Sequence, residues 1–226
     1  MTQLLEPVAA YALWAKTYPP HAHNALMLAE ERAMLSLLPK DMRGLCVVDV
    51  GCGTGRYLGH VLDRGATRVT GVDLSHAMLA RAGQQHLDVV QSTTTQVPMR
   101  SAFADVIVCA LTLGHVESLG AALCELSRVL RPNGLLVCSD FHPIGATFGW
   151  QRTFKHAGQR FAVRHFTHAL QDWQTACAQA ALIIEAHIEA FIDPSDVPAD
   201  ANFDRRALDF PVAHAFVLRK FSEARA

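Results

Sequence analysis

The densest set of chemically capable residues is Val48-Asp49-Val50-Gly51-Cys52-Gly53-Thr54-Gly55-Arg56-Tyr57. Glycines at alternate positions permit positive φ and let a ligand come close to backbone N–H groups. The pattern is G-x-G-x-G, and Arg56 stands where the dinucleotide fingerprint G-x-G-x-x-G places its third glycine. Asp49 precedes the loop, and a carboxylate there suits a ligand with a cationic centre or an amine better than a pyrophosphate. A second acid, Asp73, closes Gly71-Val72-Asp73-Leu74-Ser75. At the end of a strand it offers two acceptor oxygens to the adjacent ribose hydroxyls of an adenosine. Its competing role is to cap the next helix together with Ser75.

The chain has 12 histidines, and two of them, His115 and His142, follow apolar runs that read as the fourth and fifth strands. In a parallel sheet the ligand crevice lies at the carboxyl ends of the strands, so these two are the candidate catalytic bases. A base would serve a hydroxyl, an amine or an acidic carbon, whereas a carboxylate acceptor needs none. Asp140 either orients a neighbouring histidine or simply ends its strand; His165 and His168 flank a segment rich in aromatics. His21 and His23 stand two apart with no carboxylate cluster nearby, so no metal site is expected. The six cysteines form no C-x-x-C pair and sit mostly in apolar runs, as reduced core thiols of a cytoplasmic protein would.

These residues need a scaffold, and the apolar pattern supplies one. Strands are predicted over 45–50, 68–73, 87–90, 105–110 and 134–140, separated by helical stretches at 57–64, 75–85 and 118–130, the last stopped by Arg131-Pro132-Asn133-Gly134. A helix from a Thr167 cap to Ala181, a strand over 182–192, a polar loop over 193–209 and a last strand over 212–220 follow. The fold class is α/β: a Rossmann-like, doubly wound, mostly parallel seven-stranded sheet with an antiparallel C-terminal edge strand. One domain over 1–226 is expected, with residues 1–40 a helical N-terminal lid and 142–166 an aromatic-lined substrate lid carrying Phe148, Trp150, Phe154, Phe161 and Phe166. The 20 Lys+Arg against 21 Asp+Glu leave no basic stripe for nucleic acid, and no apolar run reaches the roughly 18 residues of a membrane span.

The stretches VVDVGCGTGRY, GVDLSHAMLARA and FADVIVCALTLGHVESLGAALCELSRVLRPNGLLVCSDFHP resemble the class I S-adenosylmethionine-dependent methyltransferases, nearest to the ubiquinone/menaquinone C-methyltransferases and the malonyl-carrier-protein O-methyltransferase. The likeness runs over about residues 45–143, more loosely over the first 40. It implies S-adenosylmethionine as cofactor and S-adenosylhomocysteine as product. Asp49, Gly51, Cys52, Gly53 and Gly55 would face its methionine part, Asp73 its ribose, and Leu74 and Met78 its adenine. Ala110, Leu111 and Thr112 would lie under the sulfonium, and Tyr11 and Tyr18 of the lead-in would cover it. The acid such enzymes often place after the third strand is missing from Gln91-Ser92-Thr93-Thr94-Thr95-Gln96-Val97-Pro98, so Thr93, Thr94 or a backbone carbonyl would accept from the adenine amino group.

The expected activity is methyl transfer by in-line displacement to a small-molecule acceptor at O, N or an activated C, free or carrier-bound, by a monomer or homodimer without nucleic-acid or membrane partners. O-methylation of a carrier-bound acyl carboxylate is the alternative, with Arg152, Lys155, Arg160 and Arg164 as a patch for an acidic carrier. A nicotinamide-dependent oxidoreductase and a binding module that lost its chemistry are the rivals on the same fold.

Overall fold

A computed structural model describes residues 2–85, 87–198 and 203–221. In chain order its strands and helices are β1 (Gln3–Leu5), α1 (Pro7–Trp14), α2 (Ala25–Leu37), β2 (Cys46–Val50), α3 (Arg56–Asp63), β3 (Arg68–Asp73), α4 (His76–Gly83), β4 (Val89–Gln91), β5 (Ala104–Ala110), α5 (Leu119–Val129), β6 (Leu130–Phe141), α6 (Ile144–Thr147), β7 (Thr153–His156), β8 (Gln159–Val163), α7 (Leu170–Gln179), β9 (Leu182–Ala190) and β10 (Ala213–Lys220). The main sheet runs β4-β3-β2-β5-β6-β10-β9, parallel from β4 to β6, with β10 antiparallel to both of its neighbours. This is the expected Rossmann-like, mostly parallel seven-stranded sheet. The C-terminal strand, however, is second from the end, and β9 forms the edge.

Side-chain alternation along the central strands divides the core into two layers. Val48, Val50, Ile107 and Cys109 face Leu123, Leu126 and Trp173 of α5 and α7. Val47, Val106 and Val108 face Met34, Tyr57 and Val61 of α2 and α3. Because both faces are covered, β2 is buried from end to end, which explains its unbroken apolar run around Asp49. Trp173 stacks on Phe216 at 4.3 Å between ring centroids, tying α7 to the β10 side.

The structure corrects several local expectations. Helix α5 stops at Val129 because Leu130 already has extended backbone, and the expected break at Arg131 to Gly134 falls inside the span of β6: Asn133 has φ of 63° and the ladder to β5 skips from Leu130 to Leu135. Thr167 is not a cap: α7 starts after Ala169, whose N–H is held by Asp172 Oδ2 at 2.7 Å. The third strand of the pattern is shifted to Val89–Gln91. Residues 153–163, for which the sequence shows no clean period, form the hairpin β7-β8, and β1 pairs parallel with β8 in a separate three-stranded sheet. Its two-residue turn, Ala157-Gly158, has φ of 48° and 77°, the geometry Asn-Gly usually signals. Phe154 and Phe161 are therefore core residues of this small sheet, stacked with Trp14 of α1, and do not line a substrate lid. No helix of the described residues is long and apolar enough to cross a membrane.

Candidate active site

A cavity of about 500 Å³ opens at the carboxyl ends of β2, β3, β4 and β5 and is covered by α1, Tyr18, Arg152 and Phe166. Its position follows from the topology: parallel strands end there and their connections diverge. Of the residues expected at the cofactor, Asp49, Gly51, Cys52, Gly53, Asp73, Leu74, Met78, Thr93, Thr94, Leu111 and Tyr18 all line it, as do Tyr11 and the candidate base His115. Gly55 does not. It has φ of 94° at the start of α3, and a Cβ there would lie 2.4 Å from Leu87 Cδ1, so this glycine serves the turn and its packing. His142 also lies elsewhere. Its ring faces Glu189 at 3.3 Å and His214 at 5.7 Å on the β9-β10 side, and its Nδ1 accepts from the Ile144 N–H.

The glycine loop is held from two sides. Gly51, with φ of 79°, passes so close to Thr112 that a Cβ would sit 2.1 Å from its Oγ1. Asp73 Oδ2 accepts the Gly53 N–H at 2.8 Å and its Oδ1 accepts the Ser75 N–H at 2.7 Å. Ser75 Oγ in turn caps α4 at the Met78 N–H. Asp73 thus does serve the backbone, but each oxygen keeps a lone pair for a further donor. Burial raises its pKa, and the backbone N–H groups of Ser75 and Gly53 oppose that shift.

Asp49 is 1% exposed, and its Oδ2 has no hydrogen-bond partner. Burial pushes the carboxyl up to about 8, against the pull of Arg56. A buried carboxylate oxygen at a cavity wall without a donor is what an ammonium or other cationic group on a ligand would satisfy. S-adenosylmethionine fits these residues: a cation for Asp49, two ribose hydroxyls for Asp73, and a polar edge for Ser92 and Thr93 to Thr95 on the far wall. The raised pKa carries a signed prediction for the ligand-free protein. The native carboxyl holds its proton up to about pH 8 while the unfolded one releases it near 4, so Asp49 stabilises the fold at low pH and that contribution is lost as pH rises to 8. Thermal melts at pH 5 and pH 8 should show wild type losing more stability over this range than Asp49→Asn. Equal losses would mean an ordinary carboxylate.

His115 is tied at both nitrogens. Nδ1 lies 2.9 Å from the Arg164 carbonyl, which can only accept, so Nδ1 donates and Nε2 accepts from the Tyr11 hydroxyl at 2.9 Å. Burial, with Arg152 adding to it, lowers the ring to about 4, so it is neutral at pH 7. Two histidines downstream fix this loop: His165 is held by Asp140 Oδ1 at 3.0 Å and lies over Gly114, while His168 Nε2 donates to the Val116 carbonyl. Asp140 is thus an orienting residue.

Sequence reading missed Glu30, fully buried among Arg56, Tyr57 and Ser139. Helical spacing offered the signal, since Glu30 shares a face with Met27, Ala33 and Met34. It also left Arg152 in a surface patch, whereas the side chain turns into the cavity.

Residues 48–138 match the methyltransferase domain family. The chain is 32% identical to a malonyl-[acyl-carrier protein] O-methyltransferase of Yersinia pestis, over 75% of this chain and 62% of that one. It is 29% identical to a ubiquinone/menaquinone biosynthesis C-methyltransferase of Methylobacterium nodulans, over 72% and 73%. In fold it resembles an S-adenosylmethionine-dependent methyltransferase of Mesorhizobium loti, with a TM-score of 0.70, 24% identity and coverage of 85% of this chain and 98% of that one. The chain spans 47% to 62% of the length of several curated relatives that it matches.

Proposed function

We propose that this chain, which carries a methyltransferase domain at residues 48–138 on a class I methyltransferase fold, moves a methyl group from S-adenosylmethionine to a small molecule, free or on a carrier. The observation that carries the reading is the pair of carboxylates at one cavity: Asp49 with its enclosed, unpartnered oxygen and Asp73 with lone pairs turned to the same space. When bound, the cofactor supplies a methyl group on a cationic sulfur that departs as a neutral thioether. Asp49 would pair with its positive charge and Asp73 with its ribose, while Leu74 and Met78 give an apolar side for the base. Leu111, Thr112, Tyr11 and Tyr18 bound the space where the acceptor must come into line, and the covering helix α1 keeps that space from water.

Two classes of acceptor follow from the state of His115. For a hydroxyl or amine, the proton would pass to neutral His115 Nε2, either in place of or through the Tyr11 hydroxyl that now occupies it. For a carboxylate, no proton moves: the oxygen–methyl bond forms as the sulfur–methyl bond breaks, with the electron pair left on sulfur. The engagement of both imidazole nitrogens favours the second class, as does the likeness to a malonyl-[acyl-carrier protein] O-methyltransferase.

Titration calorimetry separates this reading from the oxidoreductase rival. Saturable binding of S-adenosylhomocysteine with no binding of NADH or NADPH is the expected result. Binding of a nicotinamide dinucleotide alone would overturn it. A binding module without chemistry would take the cofactor yet leave its methyl group in place across a panel of acids, alcohols and amines.

A further inference from the structure

Arg152 stands just before β7, and its guanidinium enters the cavity among three rings: Cζ is 5.6 Å from the centroid of Tyr11, 5.3 Å from Trp14 and 5.6 Å from Phe141. One Nη2 donates to the Tyr18 hydroxyl at 2.9 Å. Nε is enclosed with no partner. Among the described residues no carboxylate lies within 4.0 Å of the group, whereas Arg56, the other arginine lining the cavity, pairs with Glu30 and Glu31. A cation half-buried without a counterion is costly, and aromatic faces offset only part of that. The two acids of the cavity, Asp49 and Asp73, therefore lie on the sheet side and its unpaired cation, Arg152, under the cover.

We infer that Arg152 is a carboxylate subsite, and that the acceptor is an acid held there by the outer N–H fork of the guanidinium, Nη1 together with the Nη2 N–H that Tyr18 leaves free. The fork matches two carboxylate oxygens, and the flanking Tyr11, Trp14 and Phe141 rings hold it flat for such a partner. The inference deepens the methyl-transfer reading by naming the acceptor's chemistry, and rests on that reading for the word acceptor. A carboxylate is also present on the methionine part of the cofactor, so the test must tell the two sources apart.

Straight-chain monocarboxylates from acetate to octanoate, each against its primary amide, would be titrated into the protein saturated with S-adenosylhomocysteine and into the protein alone. The expected result is an acid that binds at least tenfold tighter than its amide in the complex. Arg152→Met should abolish that preference and Arg152→Lys should weaken it, with S-adenosylhomocysteine affinity moved less than threefold in both. No preference for any acid over its amide would overturn the inference, and so would a preference that survives Arg152→Met. A tenfold loss of S-adenosylhomocysteine affinity in Arg152→Met with the acid preference intact would assign the guanidinium to the cofactor and overturn it as well. The wild-type comparison needs no variant to fold. Failure of S-adenosylhomocysteine to bind wild type would instead defeat the methyl-transfer reading, and the titrations on the protein alone would still score the subsite.

Discussion

Asp73→Ala should lower the affinity for S-adenosylhomocysteine by about a hundredfold to a thousandfold while leaving the protein folded. Two ribose hydroxyls donating to one carboxylate are charge-assisted hydrogen bonds of roughly 1.5–2 kcal/mol each, and about 1.4 kcal/mol is a factor of ten. The same substitution removes the acceptors of Gly53 N–H and Ser75 N–H, so the glycine loop and the start of α4 both loosen. That cap-like loss is worth about 1 kcal/mol, or about 2–4 °C of melting temperature for a chain of this size. The two effects have different sizes, and their ratio decides between the roles of Asp73. A drop of a few degrees with affinity changed less than threefold would leave Asp73 as a cap alone. Calorimetric titration and a thermal melt on one preparation read both.

The parallel strands of the main sheet were legible because their signals are local and strong. β2 and β5 are nearly continuous apolar runs, Asp49 marks β2 from within, Gly51 and Gly53 follow it where strand turns to helix, and Asp73 closes β3. The cofactor end of the cavity could be read for the same reason: these residues are fixed by backbone geometry a few positions away. The acceptor end could not. Arg152 reaches it only because a hairpin with an Ala157-Gly158 turn pairs with β1 across more than 150 residues, and none of that pairing shows in periodicity. His142 failed as a site residue for the converse reason. It follows the right strand, but its chain turns into α6, and its ring finds Glu189 and His214. Phe154 and Phe161 sit in a stretch with no clean period, and nothing in sequence says that they face each other across a hairpin.

Glu30→Ala should be the most destabilising of the substitutions considered, by about 3–5 kcal/mol, which for a chain of this length is about 6–20 °C in melting temperature. Glu30 is 0% exposed and accepts from Arg56 Nη2 at 2.9 Å, Tyr57 Oη at 2.9 Å and Ser139 Oγ at 2.5 Å. Removing it leaves two buried hydroxyls without an acceptor and Arg56 with Glu31 alone, at 3.2 Å. The loss also reaches the cavity. Ser139 Oγ and its carbonyl both accept the N–H of Leu111, at 3.2 and 2.9 Å, and Leu111 has φ of 50°, a left-handed conformation that a leucine keeps only when its surroundings hold it. Glu30→Ala should therefore weaken S-adenosylhomocysteine binding several-fold through Leu111, although Glu30 lines no part of the cavity. Ser139→Ala isolates that route, since it removes the Oγ that joins Glu30 to the Leu111 N–H, keeps the backbone bond from Leu111 to the carbonyl of residue 139, and leaves Arg56 and Tyr57 on Glu30. It should keep most of the melting temperature and lose a comparable share of affinity. If Ser139→Ala leaves affinity unchanged while Glu30→Ala reduces it, the coupling runs instead through Arg56 and Tyr57, which border the cavity themselves.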